Sequence, residues 1–333
     1  MAKVSVVILN WNGRHHLERY LPSVVKYTTG DAEVIVADNG STDDSLAWLR
    51  ITYPEVGVVR LDRNYGFAGG YNRALKEIGS KYYILLNSDV EVTEGWWQPL
   101  VACMEEEEDI AAVAPKLLSV ERRNEFEYAG AAGGFIDYLG YPFCRGRILS
   151  TVEQDNGQYD ERRDIFWGSG AALCCRADVY HSLGGLDEEF FAHMEEIDLQ
   201  WRMQLAGWRI VVEPRSKVYH LGGGTLPASP QKVYLNHRNN LAMLMKCASP
   251  MQRMVVAIVR PLTDGIEAVA HLLTLHPERA WAVVRAWGSF IACHKKLMDK
   301  RKAILRKKKV TGIYPYSIVL RYLCGRRRFN NMM

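Results

Sequence analysis

Four apolar runs, VSVVIL (4–9), EVIVAD (33–38), VGVVRL (56–61) and YYILLN (82–87), alternate with segments of helical spacing near 14–27, 42–51 and 68–78. A strand–helix–strand rhythm of this kind closes as βαβ units, giving a mainly parallel sheet covered on both faces by helices. The expected class is α/β. Such sheets bind ligands at the carboxyl ends of their strands. Polar residues gather there in this chain: NWNG after the first run, DNGSTDDS after the second, DRNYGFAGGYN after the third and NSD after the fourth.

Downstream, IAAVAPKLL (110–118) continues the sheet, and the Gly-, Tyr- and Arg-rich stretch 126–165 reads as a β-hairpin and a mobile loop over the site. The order returns at GSGAALCCRADVYHSLGGLDEEFF (168–191), followed by a helix to Ala206 and two short strands, WRIVVE and KVYHL. Beyond Pro230 the pattern is helical, without internal repeats. The 333 residues, 48% hydrophobic, suffice for a full core. Seven cysteines without a CxxC, an odd count and no secretory leader point to reduced thiols in the cytosol and away from a zinc site. The longest apolar runs, such as MVVAIV (254–259), fall well short of the roughly 20 residues a membrane span needs.

Asp38 ends a strand too early to cap the next helix, a task left to Ser41 or Thr42 and to one of Asp43 and Asp44. Its carboxylate suits an imide N–H or a ribose hydroxyl. NYGFAGGYN (64–72) is neither the dinucleotide fingerprint nor a P-loop. With Asn64 at its start and a helix beginning near Ala68, it can cradle a diphosphate. Asp89, in LLNSDVEV where the fourth run ends in Asn87-Ser88-Asp89, can offer a hard cation one carboxylate oxygen. His220 closes KVYHL ahead of a glycine run at 222–224, where it is either a ligand or a structural histidine. In HMEEIDLQWR (193–202), Glu195, Glu196 and Asp198 stand in the first turn of a helix, where acids are stabilising without any chemistry, and Asp198 with Arg202 has the i,i+4 spacing of an ion pair.

Together these segments resemble the glycosyltransferase family 2 enzymes of the GT-A fold, in particular the bacterial rhamnosyltransferase-like branch. The resemblance runs over about residues 3–245 through SVVILNWNG, VADNGSTDDS, NYGFAGGYN, LLNSDVEV, WGSGAALCCRADVY, GGLDEEFFAHMEEIDLQWR and YHLGGG, in family order. It implies an inverting, metal-assisted transfer of a sugar from a UDP- or dTDP-linked donor, rhamnose being one candidate, to a hydroxyl of a saccharide acceptor that is polyprenyl-linked or otherwise carried, in bacterial surface polysaccharide synthesis. It places Asn10 and Asp38 on the nucleotide base. Asn12, Asn64, Gly66, Asn72 and Ser88 fall in the nucleotide pocket, and Arg238 and Asn239 near the diphosphate. Asp89 and His220 are placed on Mg²⁺ or Mn²⁺. Two departures stand out. Asn87 replaces the first acid of the metal motif, and Glu196 replaces the aspartate that serves as base, so Glu195 or Asp198 could share that role.

The last quarter differs in kind. Residues 251–333 carry 17 Lys+Arg against 4 Asp+Glu, whereas 1–250 carry 25 against 34. The division expected is a GT-A domain over 1–248 and a basic, amphipathic helical region over 249–333. With Trp281 and Trp287 nearby, the basic helices read as a membrane-surface anchor or a homodimer contact, and no nucleic-acid motif accompanies them. The location expected is cytoplasmic, peripheral to the inner membrane. Two other readings stay open: a catalytically degenerate nucleotide-sugar-binding protein, and a sugar-phosphate nucleotidyltransferase.

Overall fold

In the computed structural model, residues 2–222, 229–308, 310 and 312–332 are described. The N-terminal segment gives β1 (Val4–Asn10), α1 (Arg14–Tyr27), β2 (Ala32–Asp38), α2 (Ser45–Thr52), β3 (Gly57–Arg60), α3 (Gly66–Ala74), β4 (Tyr82–Asn87) and β5 (Val90–Val92). Strands β3, β2, β1 and β4 lie side by side and parallel. Their register sets Asn10 opposite Asp38 and Leu9 opposite Asn87. The polar segments after β1, β2 and β4 therefore emerge at one edge. Alternate residues of β4 serve opposite faces: Ile84 packs in the cluster of Val6, Ile8 and Trp96, and Leu85 in that of Val7, Tyr71 and Trp201.

Next come α4 (Gln98–Glu106), β6 (Ile110–Ser119), β7 (Gly134–Asp137), β8 (Pro142–Cys144), β9 (Arg147–Ile148), β10 (Thr151–Val152), β11 (Arg163–Asp164) and β12 (Ala172–Arg176). β12 inserts antiparallel between β4 and β6, so the sheet is parallel in its N-terminal half and mixed beyond it. The stretch expected as a hairpin and mobile loop instead builds a second small sheet from β7 to β10. Its apolar residues Phe135, Ile136, Phe143 and Ile148 are buried, which explains why the weak periodicity still yields ordered strands.

After α5 (Ala177–Ser182) and α6 (Glu195–Leu205), the two strands expected near 208–221 are one, β13 (Arg209–His220). Its pairing with β6 shifts register between Glu213 and Lys217, so the Glu-Pro-Arg-Ser interruption is a bulge and not a break. Past the bulge, His220 pairs with Val90, which brings it beside Asp89. Of the glycine run after His220, Gly223 and Gly224 lie outside the described residues.

The C-terminal part comprises α7 (Pro230–Cys247), α8 (Pro250–Leu273), α9 (Pro277–Ala292), α10 (His294–Ala303), β14 (Ile313–Tyr314) and α11 (Ile318–Leu323). Proline opens three of these helices, and Ser229 and Ser249 cap two of them by accepting from Lys232 N and Gln252 N. The region is not purely helical. β14 joins β7 in parallel, Ile318 N donates to Asp137, and Phe329 packs on Phe135 and Phe143. Trp287, read from the sequence as a surface aromatic, turns inward and donates to Asp264 (3.0 Å). No helix among the described residues is long and apolar enough to cross a membrane.

Candidate active site

At the carboxyl edge of β1, β2 and β4 lies a cleft of about 360 Å³, with Trp11, Asn12, His16, Asn64, Ser88 and Asp89 among its walls and Phe67, Phe191 and Ala192 facing them. A larger cavity, about 740 Å³, opens elsewhere, between the loop after α5 and α10. Most of its charged walls are paired, Asp187 with Lys246 (2.5 Å) and Lys300 (2.6 Å) among them. The smaller cleft is the one at the strand ends.

Asn10 and Asp38 form the layer beneath this cleft. Both are fully buried, and Asn10 Nδ2 donates to Asp38 Oδ1 (3.3 Å), Ser41 Oγ (3.2 Å) and Ser45 Oγ (3.1 Å). Asn12 lines the cleft while its Oδ1 accepts from Thr42 N (2.7 Å). Asp43, and neither Ser41 nor Thr42, accepts from Ser45 N at the start of α2. Asn64 lines the cleft too and accepts from Gly66 N (2.8 Å). Asn39, overlooked in the sequence because it reads as a turn residue, knits the two loops. Its amide donates to Asn64 Oδ1 and Gly66 O, and its oxygen accepts from Tyr65 N.

The glycines of 66–70 serve protein packing. Gly66 has φ +72°, and a Cβ there would stand 2.5 Å from the Phe191 ring. One at Gly70 would meet Leu9 at 2.8 Å and Asn39 at 2.9 Å. The first amides of α3 are also engaged, Phe67 N donating to Phe191 O (2.8 Å). Asn72 departs from expectation. It lines the larger cavity, where it accepts from Tyr180 Oη (2.6 Å) and donates to Leu186 O (2.8 Å), so it braces the loop after α5.

Asp89 and His220 meet at 3.1 Å, Oδ1 to Nε2. On the other side of the ring, Glu127 Oε1 lies 3.4 Å from His220 Nδ1. Burial alone would lower the imidazole, but its hydrogen bond to Asp89 and the charges of Asp89 and Glu127 prevail and raise it to about 10. Asp89 Oδ2 is buried with no partner among the described residues. A carboxylate oxygen left open beside an imidazole, itself backed by a second carboxylate, fits a divalent cation taking the place of the ring proton. His15 and His16 also line the cleft and were not singled out from the sequence, although NWNGRHH places them directly after the first strand end.

The three acids separate by environment. Asp198 is consumed by structure, with Oδ2 accepting from Arg202 Nε (2.9 Å) and Oδ1 lying 2.8 Å from Lys246 Nζ. Glu195 and Glu196 each keep one buried carboxyl oxygen without a partner among the described residues. Burial pushes Glu196 up to about 7. Glu195 is driven up further, first by burial and then by the neighbouring Glu196. Glu196 does not line the cleft but lies close to its wall: a Cβ on Gly170 would touch both its side chain (3.6 Å) and the cleft-wall ring of Phe67 (3.5 Å).

The approach to these acids is strained: Phe191, His193 and Met194 all have positive φ (63°, 71° and 70°). Asn239 holds the segment, its amide donating to the carbonyls of Phe190 (3.0 Å), Ala192 (2.9 Å) and His193 (2.8 Å). Arg238 donates to Asn239 Oδ1 and to the carbonyls of Glu189 and Phe190. These two residues, expected near a diphosphate, spend these donors on the loop.

The family model described as glycosyl transferase family 2 matches residues 5–151, the segment that builds the strands from β1 to β9 and most of the cleft. Residues 5–151 thus match a family 2 glycosyltransferase domain. It is similar to the N-acetylglucosaminyl-diphospho-decaprenol L-rhamnosyltransferase of Mycobacterium tuberculosis, with 28% identity over 65% of this chain and 75% of the relative. Among solved structures it shares its fold with GalNAc-T7 bound to UDP, GalNAc and Mn²⁺ (TM-score 0.60, 19% identity, 78% of this chain and 51% of the other). It also shares it with S. aureus TarS 1–349 bound to UDP (TM-score 0.53, 16% identity, 93% and 95%). The arrangement is thus that of GT-A glycosyltransferases. In this transferase the matched segment ends before α6, so Glu195 and Glu196 come from outside it.

Proposed function

We propose that this protein is an inverting glycosyltransferase that moves a sugar, rhamnose being the favoured candidate, from a UDP- or dTDP-linked donor to a hydroxyl of a lipid-diphosphate-linked saccharide. The observation that carries the reading is the state of Glu196. A half-buried acid with an unpaired carboxyl oxygen beside the cleft, raised to about 7, is a general base poised for neutral pH.

In the transfer, the acceptor oxygen bonds to the anomeric carbon, the bond from that carbon to the donor phosphate breaks, and the acceptor proton passes to Glu196. Glu195, held in the protonated form by burial and by its neighbour, leaves Glu196 free to accept that proton. Asp89 and His220 would hold the divalent cation, Mg²⁺ or Mn²⁺, which when bound offsets charge on the leaving diphosphate. Asn12, Asn64 and Ser88 line the nucleotide end, and Trp11, 55% exposed, offers a face for the base. Asn10 and Asp38 support that floor from below. The mycobacterial relative, named for a diphospho-decaprenol acceptor, supports the lipid-linked assignment and with it a place at the cytoplasmic membrane surface.

The test is nucleoside-diphosphate release from a panel of UDP-, dTDP- and GDP-sugars with Mg²⁺ or Mn²⁺ and a polyprenyl-diphosphate saccharide. Turnover with one donor class, lost in Glu196→Gln and Asp89→Ala, is the expected result. Donor binding without turnover under any acceptor would sink the reading in favour of a nucleotide-sugar-binding protein.

A further inference from the structure

Helix α8 is turned inside out. Its polar residues face the protein. Arg260 pairs with Asp264 (3.0 Å) and reaches Asn240 (2.6 Å), Gln252 donates to Tyr138 O (3.0 Å), and Glu267 lies 3.3 Å from His237. The outward face is the reverse. Every exposed residue from Pro250 to Leu273 is apolar or glycine, with Ile258, Leu262 and Ile266 left 65%, 66% and 71% exposed. On α9, which packs beside it, Trp281, Val284 and Ile291 are likewise exposed. An uncharged face along a helix of 24 residues, roughly 36 Å at 1.5 Å per residue, is far more apolar surface than a protein in water leaves open.

We infer that this face of α8, with Trp281 of α9, lies in the plane of an anionic lipid surface and inserts its apolar side chains among the acyl chains. The inference rests on the membrane placement proposed above and names the surface that achieves it. Charge selects the occupant. Residues 251–333 carry 17 Lys+Arg against 4 Asp+Glu, an excess that attracts anionic headgroups and that would oppose itself if two copies met through this region. A contact between two protein copies would also want polar partners to fix its register, and the exposed face of α8 offers none. The four charged residues of α8, Arg253, Arg260, Asp264 and Glu267, are turned at least partly inward, so the helix lies along a membrane and does not cross it.

The test is flotation of the full-length protein with vesicles of phosphatidylglycerol and phosphatidylethanolamine, compared with phosphatidylcholine alone. Wild type should float with the anionic vesicles. The double substitution Ile258→Asp, Leu262→Asp should lower the floated fraction about tenfold while circular dichroism and turnover on a water-soluble acceptor stay unchanged. A neutral pair, Ile258→Gln with Leu262→Gln, guards against misfolding and should give a smaller loss in the same direction. Depth is read from Leu262→Cys carrying an environment-sensitive fluorophore, on a background in which the exposed Cys293 and Cys324 are serine. Its emission should shift to the blue with anionic vesicles. Absence of flotation by wild type overturns the inference, as does equal flotation by the Asp pair, which would leave binding to the basic residues alone. A dimer in sedimentation equilibrium that the Asp pair dissolves, without flotation, assigns the face to a second copy instead. Flotation requires neither donor nor acceptor, so failure of the transferase reading would show in turnover and leave this result standing.

Discussion

The side-chain amide of Asn239 sits 2.8 Å from the carbonyl of His193, the middle residue of three whose backbone has positive φ ahead of the paired glutamates. With its bonds to Phe190 and Ala192, this one side chain fixes the segment from which α6 begins. Removing it leaves carbonyls without partners and lets the carboxyl of Glu196 drift. Asn239→Ala should lower kcat by about a hundredfold, the scale of an ångström-sized misplacement, with a much smaller change in the donor KM. A residue bound to the diphosphate would shift the donor KM first, so steady-state kinetics in donor and acceptor separate the two roles.

Glu196→Gln keeps the shape and removes the base. The expected loss in kcat is about 10²- to 10⁴-fold, with donor affinity by calorimetry unchanged. Equal activity in the variant would move the base to Glu195.

The same residue sets a pH dependence. As a base Glu196 must be ionised, so kcat/KM should rise with pH and level off above about 7. Stability runs the other way. The folded chain holds this proton to about 7 against an ordinary value of 4.5. Its contribution is therefore complete below 4.5 and is lost as pH rises through 7. Glu196→Gln should gain on wild type in thermal melts as pH increases, reaching an advantage of about 3 °C at pH near 8.

Asp198→Ala should act on the fold. It leaves the buried Arg202 without its carboxylate and Lys246 with Asp187 alone, at a cost of about 3–5 kcal/mol, and denaturant unfolding should report it directly. Refolded or low-temperature enzyme should keep the pH profile of wild type.

Asp89→Ala should abolish metal-stimulated turnover and weaken Mn²⁺ binding by at least about tenfold in titrations followed by electron paramagnetic resonance. Chelation of the wild type should give the same loss, restored by adding the cation back.

Much of this was readable beforehand. Strand ends carrying Asn10, Asp38 and Asn87 follow from the periodicity of β1, β2 and β4, because parallel register brings equivalent ends together. His220 beside Asp89 was named on resemblance, and the bulge in β13 supplies its physical cause. What escaped depends on which way a side chain turns. Asn72 and Asn239 are polar residues at motif positions, yet their partners are carbonyls far along the chain, at Leu186 and His193. In α8 the spacing shows an amphipathic helix, and the ordinary assumption that the apolar side faces inward gives the wrong side. Only the contacts of Arg260 with Asp264 and Asn240 reveal that its polar side is the inner one.

Because Ile313 pairs with Ile136, the small sheet has its edge strand supplied by residues translated only after α8 and α9. Until then β7 offers an open edge, while α8 and α9 have already been synthesised with their apolar faces outward. A nascent chain would therefore present those apolar faces before its own architecture is closed, and a stop codon shortly before residue 313 would release a chain whose exposed strand invites pairing with its neighbours.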